Sequence, residues 1–97
     1  MGDDPVIPVC MYPTPSMLRA ARTLLDLKQD EAARLCHTSL KSLVAAEKGE
    51  ASRAILHKLM GGYMGAGIRF DGSPDYRKQV VMLELEFAPP YPQIPEA

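Results

Sequence analysis

The 97-residue sequence is short of several things at once, and each shortage removes a class of protein. It lacks an overall basic character: eleven Lys and Arg stand against twelve Asp and Glu, giving a formal net charge of −1. Any case for a nucleic-acid partner must therefore rest on where the charges sit. It lacks a disulfide framework, having only Cys10 and Cys36, and its N-terminus lacks an apolar leader. Both features point to a reducing, cytoplasmic setting. No apolar run approaches the roughly 18 residues of a membrane span, so no membrane partner is expected. Catalytic wording is missing too, with no Ser/His/Asp set, paired carboxylates or phosphate loop, and the chain is not expected to be an enzyme. Cys36 and His37 are adjacent, and with Cys10 and His57 they do not make a zinc-ligand spacing. Neither a metal nor another cofactor is expected. No internal repeat is visible, and the length allows one small domain with a modest core.

What the chain does have is unevenly placed. Residues 17–58 hold eight Lys or Arg against five acids, whereas residues 59–97 hold three against five. The middle is mildly basic and the end acidic. Residues 1–15, "MGDDPVIPVCMYPTP", carry four prolines without helical or alternating period and read as a flexible N-terminal arm. Ser16 is placed to cap a first helix, with Leu18, Ala21, Leu24 and Leu25 on one face and an end near Asp26. A second helix of about two turns is predicted over residues 29–36, with Asp30 and Glu31 favourably placed in its first turn and Ala32, Ala33, Leu35 and Cys36 available for packing. Thr38 or Ser39 can cap a third helix running to about Lys48. Its inward spacing takes Leu40, Leu43 and Ala46 or Glu47, and Gly49 is the stop.

A fourth helix should start near Ala51 or Ser52 and bury Ile55, Leu56, Leu59 and Met60 before "GGYMGAG" weakens it. Met60, Tyr63 and Met64 read as core rather than as a ligand pocket. After that the period changes. "GIRF" and "QVVMLELEF" read as strands joined by "DGSPDY", with Val81, Leu83, Leu85 and Phe87 on one face and Met82, Glu84 and Glu86 on the other. A lone hairpin is marginal, so it must either pack on the helices or pair with a second copy of itself. The expected fold is mainly α, with four to five short helices followed by a β-hairpin or strand pair. The expected organisation is an arm over 1–15, a helical domain over 16–66, a strand extension over 67–88 and a proline-rich tail over 89–97.

The wording "LRAARTLLDLKQDEAARLCHTSLKSLVAAEKGE" resembles the lambda-repressor and Cro-like (XRE) family of helix-turn-helix regulators over roughly residues 17–61. The matching positions are Leu18 to Leu25 in the first helix, Gln29 opening the second, Ala33 at its tight packing position, Ser39 capping the third, Leu43 in its core and the closing Glu47-Lys48-Gly49. The resemblance implies a salt bridge between Arg22 and Glu47 that joins the first and third helices. His37 departs from the pattern by standing where the family usually has glycine, at a turn tending toward left-handed backbone.

Carried position by position, the resemblance implies that Gln29, Ser39, Leu40, Lys41, Val44 and Ala45 face DNA, with Thr38 at the same turn. Ser39 and Gln29 would anchor phosphates, Lys41 would reach guanine, and Leu40, Val44 and Ala45 would offer apolar contact to thymine methyl groups. Lys48 and Arg53 are candidates for further phosphate contacts. The implied protein is a repressor that binds a two-fold operator in double-stranded DNA as a homodimer, joined through Val81, Leu83, Leu85 and Phe87. It would be cytoplasmic and nucleoid-associated when bound. Rival expectations are an antitoxin that also binds a toxin, and a protein-interaction module that reads little DNA; contact with RNA polymerase is a further partner to consider.

Overall fold

The computed structural model describes residues 12–73, 75–85 and 94–95, over which four helices precede a two-stranded antiparallel sheet. The helices are α1 (Pro15–Leu24), α2 (Gln29–Leu35), α3 (Leu40–Glu47) and α4 (Arg53–Gly65). Strands β1 (Ile68–Gly72) and β2 (Gln79–Leu83) follow. The mainly α architecture with a terminal hairpin is the one the sequence predicts. Three local expectations change. Thr14, not Ser16, caps α1: its side chain accepts from the Met17 amide, and Pro15 fills the first helical position, where no amide donor is needed. Leu24 is 43% exposed and does not join the core, whereas Leu25 packs against it in part. Most of the expected arm lies outside the described residues, but Tyr12 and Pro13 are buried, so order begins before residue 16.

Three successive helices end the same way. After α1, Asp26 has φ +55°, its amide donates to Thr23 O, and the Leu27 amide donates to Arg22 O. After α2, His37 has φ +54°, donating to Arg34 O, and Thr38 donates to Ala33 O. After α3, Gly49 has φ +84°, donating to Ala46 O, and Glu50 donates to Ala45 O. Each is the paired-bond stop in which one left-handed residue lets the chain satisfy two orphan carbonyls. Only Gly49 uses the residue best suited to it. Asp26 and His37 accept the conformation at a cost in steric strain, and in return the α2–α3 turn closes within four residues.

The core gathers Leu18 and Ala21 from α1, Ala32, Ala33 and Cys36 from α2, Leu43 and Ala46 from α3, Leu59 and Tyr63 from α4, and Ile68 from β1. Helix α4 does not weaken at its glycines but runs to Gly65, because Tyr63 is fully buried one turn after Leu59 and anchors that end. Ile55 and Leu56 pack on the core in part, Met60 is half-buried and Met64 exposed. Gly62 permits the crossing of α4 over the end of α2. A Cβ there would stand 2.5 Å from Cys36 Sγ and 2.8 Å from Cys36 Cα, whereas one at Gly61 meets nothing within 4 Å. Gly62→Ala is therefore expected to destabilise by about 1–3 kcal/mol through overpacking. Gly61→Ala should instead stabilise by about 0.5–1 kcal/mol, the helix-propensity gain alone. Chemical unfolding of the two variants checks the contrast, and equal effects would show that α4 does not cross there.

Burial pushes the Cys36 thiol up from 9.0 to about 12 and raises the Tyr63 phenol as well. The native state thus holds both groups neutral where the unfolded chain would ionise them. The sign follows: the Cys36 contribution is intact below pH 9.0 and is lost as pH rises from there toward 12, whereas that of Tyr63 starts to fall only above 10.0, the ordinary value of its phenol. Unfolding titrations should show stability falling above pH 9.0 by about 1.4 kcal/mol per pH unit from Cys36, with the slope steepening above 10.0 as Tyr63 adds its share. In a Cys10→Ser background, Cys36 should also resist alkylation in the folded state and react on unfolding.

The two strands pair in the register Ile68↔Leu83, Phe70↔Val81 and Gly72↔Gln79. Ile68 is fully buried, and Phe70, Val81 and Leu83 pack against the helical core. The hairpin thus belongs to the same core as the helices rather than forming a separate extension over 67–88. Strand β2 stops at Leu83, and Leu85 is 74% exposed. Tyr12 closes the other side: its carbonyl accepts from Tyr76 Oη at 3.1 Å, and its ring lies 5.5 Å from that of His57. Thr14 Oγ1 donates to Gln79 Oε1 at 2.5 Å. Within the expected tail, Ile94 packs in part against the core; Phe87 and Glu86 lie outside the described residues. Among the described residues no helix is long and apolar enough to cross a membrane.

Candidate nucleic-acid interface

Helix α3 is held from behind by one buried carboxylate. Glu47 is 5% exposed. Its Oε2 accepts from Arg22 Nε at 2.7 Å, and its Oε1 accepts from Arg22 Nη2 and from Gln29 Nε2, each at 3.1 Å. Its main-chain carbonyl accepts from Arg19 Nη1 at 2.5 Å. Arg22 also donates to Leu27 O at 3.2 Å, so its fork spans α1, the turn after it and α3. The hydrogen bonds to Glu47 hold the Arg22 guanidinium's proton more firmly than in a free arginine, against a smaller opposing effect of burial. A bidentate pair of this kind fixes orientation, since both planes must match for both bonds to form. The expected Arg22–Glu47 bridge is present, and it is larger than expected because Gln29 and Arg19 join it.

The front of α3 is organised by Ser39. Its Oγ accepts from the Ser42 amide at 3.1 Å and donates to Ser42 Oγ at 3.0 Å, which settles the alternative between Thr38 and Ser39 in favour of Ser39. Thr38 is half-buried in the turn. Leu40 is 48% exposed, so its expected inward place is wrong; Leu43, Ala46 and Glu47 form the inward face instead. At about 100° per residue, Leu40, Lys41, Val44, Ala45 and Lys48 share the opposite side of the helix. Lys41 and Lys48 are exposed, and Val44 and Ala45 half-buried.

Lys41, Lys48 and Arg53 make no ion pair among the described residues, in contrast to Arg22, Arg34, Arg69 and Arg77. Arg53 is the first residue of α4, whose cap is Ser52, accepting from the Ile55 amide at 3.3 Å. The predicted set therefore divides. Ser39, Leu40, Lys41, Val44, Ala45 and Lys48 lie on one short helix and its caps, and Gln29 is tied to the same helix through Glu47. Gln29 is not a free side chain, since one of its two amide hydrogens is committed inward. Arg19 was missed as part of the frame, since it sits off the apolar stripe and gave no signal. Tyr63, expected in the core, is fully buried there.

Val81 and Leu83, assigned by sequence to a dimer surface, are instead engaged by the chain's own core; of that group only Leu85 is free to meet a partner among the described residues. Among those residues no group of three or more His, Cys, Asp or Glu is placed to hold a metal ion. Comparison of the sequence with protein-family models gave no match, and comparison with curated proteins gave none either.

Proposed function

We propose that the chain is a sequence-specific double-stranded DNA-binding regulator of the lambda-repressor and Cro-like type, acting as a homodimer with α3 in the major groove. The observation that carries this reading is the two-sidedness of α3. Its back is locked by Glu47 to α1 and α2, while its front presents Leu40 and Lys41 with no partner of their own. A rigid helix with an unengaged face of the right width is what major-groove insertion requires. Lys41 is the hydrogen-bonding reader of guanine. Leu40, Val44 and Ala45 supply methyl contacts, and Ser39, Lys48, Arg53 and the second amide hydrogen of Gln29 meet phosphates. Regulation in this reading is by occupancy of a promoter, which makes a repressor the favoured form. The helix-turn-helix resemblance supports the same assignment.

The second reading is an interaction module for an apolar protein surface, favoured by the exposure of Leu40 and the low polarity of α3. An antitoxin would combine both. Duplex binding followed by fluorescence anisotropy separates them. A DNA reader loses affinity steeply as salt rises, because each neutralised phosphate releases counterions, whereas an apolar protein contact changes little. Absence of duplex binding at low salt would remove the DNA reading.

A further inference from the structure

A homodimer needs a surface, and the inner face of the hairpin is already spent on the core. The outer face is differently built. In the observed register Arg69 stands opposite Met82, and Glu84 follows one pair along on the same side. Arg69 Nη1 donates to Met64 O at 3.2 Å, which brings the last turn of α4 alongside the strand. Met64 and Met82 thus flank Arg69, each 43% exposed. Methionine makes an adaptable apolar contact, and two exposed methionines on either side of one arginine mark a surface with a use on a small monomer.

The charges say what kind of partner fits. Arg69 Nε and Glu84 Oε1 are 3.9 Å apart, too far for a hydrogen bond, and both side chains are about one-third exposed. The Glu84 carboxylate accepts no hydrogen bond among the described residues. Arg69 Nη1 also donates to Ile68 O at 2.9 Å, which fixes the guanidinium beside a carboxylate that it pairs with only loosely. One cation and one anion held side by side in this way form a self-complementary pair. Turned over on a two-fold axis, the patch sets Arg69 of one copy against Glu84 of the other and closes methionine on methionine. That is the requirement of an isologous interface.

We infer that the outer face of the hairpin and the end of α4, centred on Arg69 and Glu84, form the interface with a second copy of this chain. This deepens the homodimer reading but does not depend on DNA binding. The two strand faces therefore have separate duties: the inner one completes the monomer core, and the outer one joins monomers.

Charge reversal and mixing test this directly with the full-length chain in analytical ultracentrifugation. The unmodified chain should be a dimer at about 100 µM. Arg69→Glu leaves two acids on the patch and Glu84→Arg two bases, so each variant alone should dissociate roughly tenfold or more easily. An equimolar mixture should recover the dimer as a heterodimer, because each cross-contact then joins opposite charges. No change within one chain can produce that recovery. Circular dichroism checks that both variants stay folded, and Met82→Glu, which adds a like charge on each copy, should also give monomers. A monomeric unmodified chain, or single variants that dimerise as it does, or a mixture that stays monomeric, overturns the inference. A monomer that still binds duplex with a steep salt dependence would sink the interface and spare the DNA reading; a dimer that binds no duplex would do the reverse.

Discussion

Glu47→Ala will lower the unfolding free energy by about 3 kcal/mol or somewhat more, a large part of the stability of a domain this size. The cause is not the loss of an attraction alone. With the carboxylate gone, Arg22 keeps its charge in a mostly enclosed place, and Gln29 loses its acceptor as well. Leaving a charge uncompensated costs far more than the net worth of the pair, because the pair has already offset the desolvation of both ions. The double replacement Arg22→Leu with Glu47→Leu should accordingly cost less than Glu47→Ala, although it removes more hydrogen bonds. Urea unfolding followed by circular dichroism measures all of this. A Glu47→Ala penalty under about 1 kcal/mol would mean that the bridge adds little and that packing of Leu43 and Ala46 alone fixes α3.

Lys41→Ala will weaken binding at the preferred site by about 1–3 kcal/mol, roughly five- to 150-fold, while leaving non-specific duplex binding nearly intact. Arg53→Ala should behave in the opposite way, weakening all sequences alike and lowering the salt slope by about one. The contrast comes from position. Lys41 is on the unengaged side of α3, with Leu40 and Val44 for neighbours and no carboxylate to hold it back, so its ammonium can reach a base edge. Arg53 opens α4, where a guanidinium added to a helix N-terminus meets a phosphate more readily than a base. If Lys41→Ala and Arg53→Ala reduce every duplex equally, α3 does not read bases.

The helices were legible because their evidence is local. Ser39 and Ser52 cap where a serine precedes an apolar period, and Leu18, Ala21, Leu43 and Leu59 fall inward at helical spacing. Errors arose where two local signals compete. Thr14-Pro15 and Ser16 both make reasonable helix starts, and proline's preference for the first helical position decided for Thr14. Leu24 and Leu40 look inward by spacing alone, yet the neighbouring elements pass elsewhere and leave them exposed. Alternation in "VVMLEL" correctly sorted Val81 and Leu83 from Met82 and Glu84, but a pattern of period two cannot say what covers either face. The helical core took the first pair, which leaves the second on the outer face. The Arg22–Glu47 bridge depended on the resemblance, since nothing in the spacing of two charges 25 residues apart brings them together. Gln29 and Arg19 joined it for a reason invisible in one dimension: the closely packed ends of α1, α2 and α3 leave one carboxylate to satisfy several donors.

Selection of duplexes bound by the full chain from a random pool is the measurement on which the DNA assignment turns. It should enrich one motif made of two inverted half-sites whose centres lie about one helical turn apart, with guanine at the position that Lys41→Ala relaxes. Recovery of no motif, with every sequence bound alike or none bound at all, would contradict it.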